Sequence, residues 1–177
     1  MRSWCDARGR SGHGIFPKSD AAFSLIELMV AMTILSLLIL LSVPTYQKIQ
    51  RRAKVAVLAN DFRTFATALQ SHAHEVGSWP LETAAGVVPT GMTPEELKDD
   101  DWTHPTPIGG KFDWEYKQTH GGTQYLAAIA ITDTSDAPLT IDAELLLDLD
   151  KAIDDGDLTT GNLIMGFGGS PLFIIEK

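Results

Sequence analysis

The sequence predicts an α+β fold in which a long N-terminal helix packs against the small antiparallel sheet of a globular head. Residues 23–43 form a largely apolar run, and residues 49–76 repeat apolar side chains at three- and four-residue steps. Both patterns favour helix. Residues 111–118 alternate apolar and polar side chains, which favours a strand. With 177 residues in all, we expect one long helix and one globular domain with a single core.

The apolar run is long enough to cross a bilayer once. As an unbroken helix, residues 23–43 would be roughly 31 Å long, which is about the thickness of the hydrocarbon core. The positive-inside rule does not decide the orientation, because Lys and Arg residues lie on both sides of the run. We therefore predict one membrane-spanning helix at residues 23–43, whose orientation the charges leave open.

Glu27 is the one acidic residue in this run. An ionisable group at membrane depth costs roughly 2.5 to 3.5 kcal/mol on insertion scales, so such groups are usually functional. The alternative is that Glu27, near the start of the run, reaches the headgroup layer and has no role. The composition alone leaves both interpretations open.

Pro44 follows the run and removes one hydrogen bond from any helix that passes through it, so the helix either kinks or ends there. The continuing apolar spacing favours a kink, followed by a stem helix over residues 44–76. The side chains predicted for its buried face are Ile49, Ala53, Val57, Leu58, Phe62, Phe65, Leu69, Ala73 and Val76. Gly77 is predicted to cap this helix, and Pro80 prevents its continuation.

The head, residues 77–177, is predicted to begin its regular structure with a short helix. Thr93 and Glu96 match a capping box with Pro94 at the first helical position, so we expect a helix to about Asp101. Residues 111–118 and 124–132 are predicted to pair as an antiparallel hairpin with a loop of four or five residues. The aromatic side chains of this hairpin are expected to face the stem: Phe112, Trp114 and Tyr116.

A second head helix and two short strands are expected nearer the C-terminus. Asp142 can cap a helix over residues 143–153, whose Leu146, Leu149 and Ile153 form a packing stripe. Two short strands are predicted on either side of a Gly-containing turn, at residues 162–167 and 172–175.

The charge is distributed unevenly between stem and head. Residues 46–63 carry a net charge of +4, from five basic residues and Asp61, whereas residues 64–177 carry −14, from 19 acidic and five basic residues. The acidic head argues against nucleic-acid binding, which needs clustered Lys and Arg. The basic stem is either a solvated face beside anionic lipid headgroups or a contact surface for the acidic head of another subunit.

Catalytic motifs are absent from the sequence. It contains no nucleophile elbow, phosphate-binding loop or dinucleotide fingerprint. His72 and His74 are two residues apart on one helix, so they point in different directions and cannot share a metal. His104 and His120 are expected in loops without Glu or Cys at ligand spacing. The tryptophans Trp79, Trp102 and Trp114 are interpreted as packing groups.

The strongest metal candidate is the acidic segment 148–157. Calcium binds oxygen ligands from flexible acidic loops, so Asp154, Asp155 and Asp157 are candidate ligands. The spacing does not fit an EF-hand, because Ile153 stands where the required glycine should follow Asp148. The alternative is a solvated helix end with a turn. We therefore expect no cofactor, with calcium as the alternative.

The start of the apolar run resembles a known processing signal. Phe23-Ser-Leu-Ile-Glu27-Leu, preceded by the small Ala22 and a basic segment, is similar to the N-terminus of type IV pilins and type II secretion pseudopilins. The likeness is strong to about Gln50 and loose beyond the stem. It implies that a prepilin peptidase removes residues 1–22 as a leader, cutting between Ala22 and Phe23, and methylates the new Phe23 amine. The residue before the cut is usually Gly, so Ala22 predicts slower cleavage.

The resemblance also implies roles for other residues. Stacked apolar helices form the filament core, where Glu27 of one subunit pairs with the Phe23 amine of a neighbour, and Pro44 marks a region that loosens on packing. Pairing makes a buried charge much less costly, which suits a register contact. Cys5 is the one cysteine and lies in the leader, so the mature chain lacks the disulfide of many type IVa pilins.

The function implied is structural. We expect a non-enzymatic pseudopilin in the bacterial inner membrane, with its head in the periplasm, that polymerises with itself and other pseudopilins on an inner-membrane assembly platform. A type IV pilus subunit for adhesion, motility or DNA uptake is the alternative. A membrane-tethered enzyme is a third possibility, disfavoured by the missing catalytic motifs.

Overall fold

The computed structural model of the chain describes residues 24–177, which form an α+β fold with a long N-terminal helix packed against a small antiparallel sheet. The chain divides into two compact units, Met1–Ser42 and Val43–Lys177. The helices are α1 (Leu25–Val76), α2 (Pro94–Leu97), α3 (Asp99–Thr103) and α4 (Ala143–Ile153). The strands are β1 (Lys111–Tyr116), β2 (Thr119–His120), β3 (Thr123–Gln124), β4 (Ala127–Thr132), β5 (Leu163–Met165) and β6 (Pro171–Glu176). The predicted leader and the Ala22 to Phe23 junction lie outside the described residues.

Helix α1 continues through Pro44 and ends at Val76, as the periodic spacing predicted. Gly77 caps it with a positive φ of 80°, and its N–H donates to the Ala73 carbonyl at 2.9 Å. A left-handed residue at this position is the usual way to end a helix, and glycine adopts it without a Cβ clash. Gly77 is therefore confirmed as the C-terminal cap.

The buried face of α1 lies within its second half. Leu58, Phe62, Phe65 and Leu69 are buried as predicted. The other buried side chains of the helix are Val55, Ala59, Ala66 and His72. The predicted member Ala73 is half-buried, whereas the predicted members Ile49, Ala53, Val57 and Val76 are wrong, because all four are exposed. Val57 is 47% exposed although its neighbour Leu58 is fully buried, so the edge of the buried stripe runs between them.

The main sheet has the strand order β1-β4-β6-β5, and every neighbouring pair is antiparallel. Phe112 and Trp114 of β1 are buried on the face toward α1. The Phe112 ring meets Phe62 at 5.5 Å and Phe65 at 4.8 Å between centroids, both edge to face. Such pairs add about 0.5–1.5 kcal/mol beyond the area they bury. The prediction that the β1 aromatics face the stem is confirmed.

The tryptophans are packing groups, as predicted. Trp102 and Trp114 are fully buried, and their indole N–H groups donate to the carbonyls of Val87 at 2.9 Å and Pro80 at 3.0 Å. Trp79 packs against the Trp114 ring at 5.6 Å. Buried indoles need such partners for their N–H groups.

The connection from β1 to β4 differs from the prediction. It runs from residue 117 to residue 126, longer than the expected loop of four or five residues, and contains the separate ladder of β2 with β3. Gly121 and Gly122 close this ladder, both with positive φ. Two consecutive left-handed residues match the tight hairpin turns that favour glycine. The polar pairs of β2 and β3 therefore form their own small hairpin.

The first head helix also differs from the prediction. The capping box is confirmed, because the Thr93 N–H donates to the Glu96 carboxylate at 2.5 Å. Lys98 then takes a left-handed conformation with φ of 52°, which ends α2 at Leu97. Helix α3 begins directly afterwards, so two short helices replace the single one predicted.

Helix α4 has the predicted bounds. Its N-cap Asp142 accepts from the N–H of Glu144 at 3.0 Å and of Leu145 at 3.4 Å. Leu146 and Leu149 are buried, so the predicted packing stripe is confirmed. Strands β5 and β6 lie where two short strands were expected and complete the sheet.

Candidate functional site

The first turn of α1 carries Glu27. Ser24 begins the helix, and its hydroxyl accepts from the Glu27 N–H at 3.2 Å, while its carbonyl accepts from Leu28. A carboxylate in a first turn interacts favourably with the positive end of the helix dipole. Glu27 is exposed in the single chain, so its carboxylate is free to meet another molecule. Ala22 and Phe23, the predicted processing residues, lie outside the described residues.

The α1 segment after Glu27 is apolar on all sides and buried on none. Its large apolar side chains from Leu28 to Leu41 are 52% to 74% exposed. The hydroxyls of Thr33, Ser36 and Ser42 each donate to a carbonyl one turn earlier. This matters because a polar group in hydrocarbon must find its partner within the protein. The residues that the structure describes thus include one helix long and apolar enough to cross a membrane.

The basic stem makes ion pairs with the head of its own chain. Arg51 lies 3.7 Å from the Asp142 carboxylate and also pairs with Glu144, at the start of α4. Arg52 and Lys54 are exposed. One basic side chain of the stem, Arg51, therefore pairs with acidic residues of the same chain, whereas Arg52 and Lys54 remain on the surface.

Pro44 lies within α1, next to the start of the basic stem. It lines a shallow surface depression together with Arg51, Val55 and Asp148. The predicted role of Pro44 in assembly remains a prediction.

A cluster of carboxylates lies at the C-terminal end of α4. Single carboxylate oxygens of Asp150, Asp154 and Asp155 all lie within 4.8 Å of one another. Asp150 is fully buried, and within residues 24–177 its carboxylate oxygens make no hydrogen bond of normal geometry, although the Gly156 N–H acts on the carboxylate as a weak donor. Burial raises the pKa of Asp150, and the neighbouring charges of Asp155 and Asp154 raise it further. We call these three residues the aspartate cluster.

The loop after α4 holds the other two carboxylates in place. Asp154 accepts from the Asn162 N–H, and Asp155 accepts from the Asp157 N–H at 2.9 Å. Gly161 has a φ of 78°, and a Cβ there would lie 1.9 Å from an Asp154 carboxylate oxygen. Only glycine fits at this position, so the loop closes tightly over the cluster.

The cluster differs in one member from the sequence candidates. The Asp157 carboxylate accepts from the Thr159 N–H at 3.0 Å and hydroxyl at 2.7 Å, and these bonds lower its pKa. Asp150 takes its place beside Asp154 and Asp155. The sequence did contain a signal, because Asp150 lies in the last turn of α4, four residues before Asp154, which directly follows the helix.

A second group of titratable side chains lies on the outer face of the sheet, which sequence reasoning missed. His120 of β2 returns over β1, and its Nε2 lies 3.5 Å from an oxygen of Glu115. Burial raises the pKa of Glu115 to about 7 and that of Asp113 to about 6, with repulsion between acidic groups adding to both. Burial lowers the pKa of His120. The alternation of side chains along β1 places Asp113 and Glu115 on the face opposite to Phe112 and Trp114. The short hairpin that brings His120 to this face was not predicted.

Comparison with known proteins identifies the N-terminal segment. The family profile described as the prokaryotic N-terminal methylation motif matches residues 17–43. No curated protein matches the chain. The matched residues include the predicted cleavage junction, Glu27 and the exposed apolar part of α1. The chain therefore carries the prepilin-type signal of type IV pilins and pseudopilins, which supports a pilin-like or pseudopilin subunit.

Proposed function

We propose that the chain is a type II secretion pseudopilin, a structural subunit held in the bacterial inner membrane by residues 23–43 and polymerised into a periplasmic pseudopilus. The observation that carries this proposal is the match to the methylation motif on a helix whose apolar side chains are exposed. The lack of a cysteine after Cys5 favours a pseudopilin over a disulfide-closed pilin. The type IV pilus subunit is the other outcome to be tested.

Assembly then uses Glu27 as a register contact. Each subunit that joins the filament brings the amine of Phe23 into an apolar core, and Glu27 of a neighbour neutralises it. The position of Glu27 in the first turn of α1, exposed in the single chain, supports this contact. Its role is specificity of stacking more than net stability, because two buried charges also lose their hydration.

Processing tests the proposal directly. Expression of the chain with a prepilin peptidase should remove residues 1–22 and leave an N-methylated Phe23, detected by intact mass and N-terminal sequencing. Ala22→Gly should be cut at the same bond, as fast or faster. Retention of the leader, or a cut after Val43, would contradict the pilin-like assignment. Neighbouring genes for a secretin without a retraction motor would favour the pseudopilus over the surface pilus.

We further propose that the aspartate cluster binds calcium and stabilises the head. Calcium takes six to eight oxygen ligands, and carboxylates from a loop supply them well. Two observations support the site: three carboxylates converge, and in the described part of the chain the buried Asp150 carboxylate makes no hydrogen bond of normal geometry. A cation at this position would offset the repulsion between the three aspartates.

A melting experiment tests calcium binding. The processed chain in detergent should melt at a higher temperature in millimolar calcium than in chelator, because a ligand that binds only the folded state stabilises it by about 2.7 kcal/mol at 100 times its Kd. Asp150→Asn should abolish this calcium response. Asp148→Asn, at a half-exposed carboxylate of the same helix, should retain it. Equal melting of the unaltered chain in calcium and chelator would rule the site out.

A further inference from the structure

A depression of about 600 Å³ lies on the outer face of the sheet, opposite to the face that packs against α1. Its lining includes Ala130 of β4 and Leu172 of β6. Asp113 and Glu115 of β1 enter it because they alternate with the inward-facing aromatics, and His120 enters it from β2. We call this depression the outer-face pocket. It is separate from the aspartate cluster, and the proposed pilin function does not use it.

Two side chains in the outer-face pocket have the geometry of ligands to one ion. His120 Nε2 lies 3.5 Å from a Glu115 carboxylate oxygen, and the two side chains are only 11% and 14% exposed. Two ligands of a tetrahedral ion with bonds of about 2.0–2.1 Å lie about 3.3 Å apart. An ion could therefore be bound by both side chains with little rearrangement.

His120 also lacks any other partner. Both of its ring nitrogens are buried, and neither has a hydrogen-bond partner among residues 24–177. Its contact with Glu115 is too long for a good hydrogen bond. A buried imidazole without partners is costly, and coordination of an ion by one nitrogen would remove part of that cost.

The carboxylates of the pocket lack a positive partner as well. Within the described ranges, no Lys or Arg lies within ion-pair distance of Asp113 or Glu115, and the Lys111 ammonium pairs with Asp136 instead. Glu82 adds a third negative charge that acts on both carboxylates. The pocket therefore concentrates negative charge around one imidazole.

A second His–carboxylate pair in the head shows what is particular to this site. His72 Nδ1 also lies 3.5 Å from a Glu96 oxygen. The Glu96 carboxylate, however, accepts from the Thr93 N–H in the capping box and is therefore already engaged. The same distance thus occurs at a site whose carboxylate has a structural use, and this pair provides a matched control.

We propose that Glu115 and His120 bind a divalent transition-metal ion, with zinc as the reference ion, in the outer-face pocket. One imidazole with carboxylates suits zinc and its neighbours, whereas the oxygen-only aspartate cluster suits calcium. Asp113 contributes negative charge next to the ion. The head would then hold two kinds of cation at separate places, one at the end of α4 and one on the sheet.

Titration calorimetry with zinc tests this site. The full chain in detergent, with millimolar calcium present to occupy oxygen-only sites, is compared with Glu115→Gln and Glu96→Gln. Loss of a metal ligand should weaken zinc binding by about tenfold or more in Glu115→Gln. The Glu96→Gln control, which removes the same charge beside the other histidine, should bind zinc as the unaltered chain does. No zinc binding by the unaltered chain, or equal affinity in all three, would overturn the proposal.

A measurement on the unaltered chain complements the variants. X-ray absorption at the zinc edge, with one equivalent of zinc, should show imidazole scattering around the ion. A coordination shell made of oxygen alone would overturn the assignment, even if Glu115→Gln bound zinc more weakly. His120→Ala should remove the imidazole signal, and its persistence in a folded His120→Ala chain would equally contradict the site.

Discussion

The two parts of helix α1 differ in how their apolar side chains are distributed around the helix. After Val43, the helix buries one stripe, including Leu58, Phe62 and Leu69, against the head of its own chain. Before Val43, its apolar side chains are exposed on every side. A single apolar stripe indicates a helix that packs within its own domain, whereas apolar side chains all round indicate one that needs lipid or neighbouring subunits.

The distribution of polar side chains follows the same division. Before Val43, the hydroxyls turn back onto the helix carbonyls, and Glu27 is the one charged side chain among residues 24–43. After Val43, charged side chains occupy the exposed face and Arg51 pairs with α4. Each part of the helix is thus adapted to its own surroundings.

Substitution of a buried residue in the packed part of α1 should have a large effect on the stability of the head. Phe62→Ala should destabilise the head by about 3–5 kcal/mol, because it removes a fully buried ring that contacts Phe112 and Phe173. Leu38→Ala, at a side chain that is 55% exposed, should leave head melting unchanged. Thermal melting in detergent, followed by near-ultraviolet circular dichroism, measures both. Equal destabilisation by the two substitutions would remove the distinction between the parts of the helix.

A smaller effect concerns pH, and its titrating groups all belong to the unit Val43–Lys177. Burial raises the folded-state pKa of Glu115 to about 7 and of Asp113 to about 6, above their usual values. A raised pKa means that the folded state holds the proton more tightly than the unfolded state does. The resulting stability is present below about pH 4 and is lost as pH rises through about 7.

The measurement is head melting between pH 5 and pH 8, with chelator present. Melting temperature should fall across this range. The lowered pKa of His120 acts in the opposite direction, because the folded head holds the proton of this imidazole less tightly than the unfolded chain does, and it therefore offsets part of the fall. Glu115→Gln should reduce the fall in melting temperature by roughly 3 °C, which corresponds to about 1 kcal/mol of unfolding free energy for a domain of this size. The same slope in Glu115→Gln and the unaltered chain would show that Glu115 is not the group responsible.

Sequence patterns predicted the features that depend on local spacing. The end of α1 at Gly77, the capping box at Thr93 and the bounds of α4 all follow from neighbouring residues. The buried stripe of α1 was predicted correctly only where the head covers the helix. Ile49 and Val57 have helical spacing but no covering element, and spacing alone does not reveal which face is covered.

The sites were predictable to different degrees. The aspartate cluster was half predicted, because Asp154 and Asp155 are adjacent in the sequence whereas the burial of Asp150 depends on how α4 packs. The outer-face pocket was missed, because the contact of His120 with Glu115 depends on the unpredicted β2–β3 hairpin. Contacts that depend on tertiary packing leave little trace in a single sequence.

Filament assembly by Glu27→Ala tests the proposed role of Glu27. The substitution should leave membrane insertion intact, because it removes a charge from the apolar segment. Filaments seen by electron microscopy should be lost, since each mutant subunit would bury an unpaired Phe23 amine at a cost of about 3–5 kcal/mol. Glu75→Ala, at an exposed carboxylate near the other end of α1, should still form filaments. Normal filaments from Glu27→Ala, with equal amounts of subunit in the membrane by immunoblot, would contradict the proposed role of Glu27.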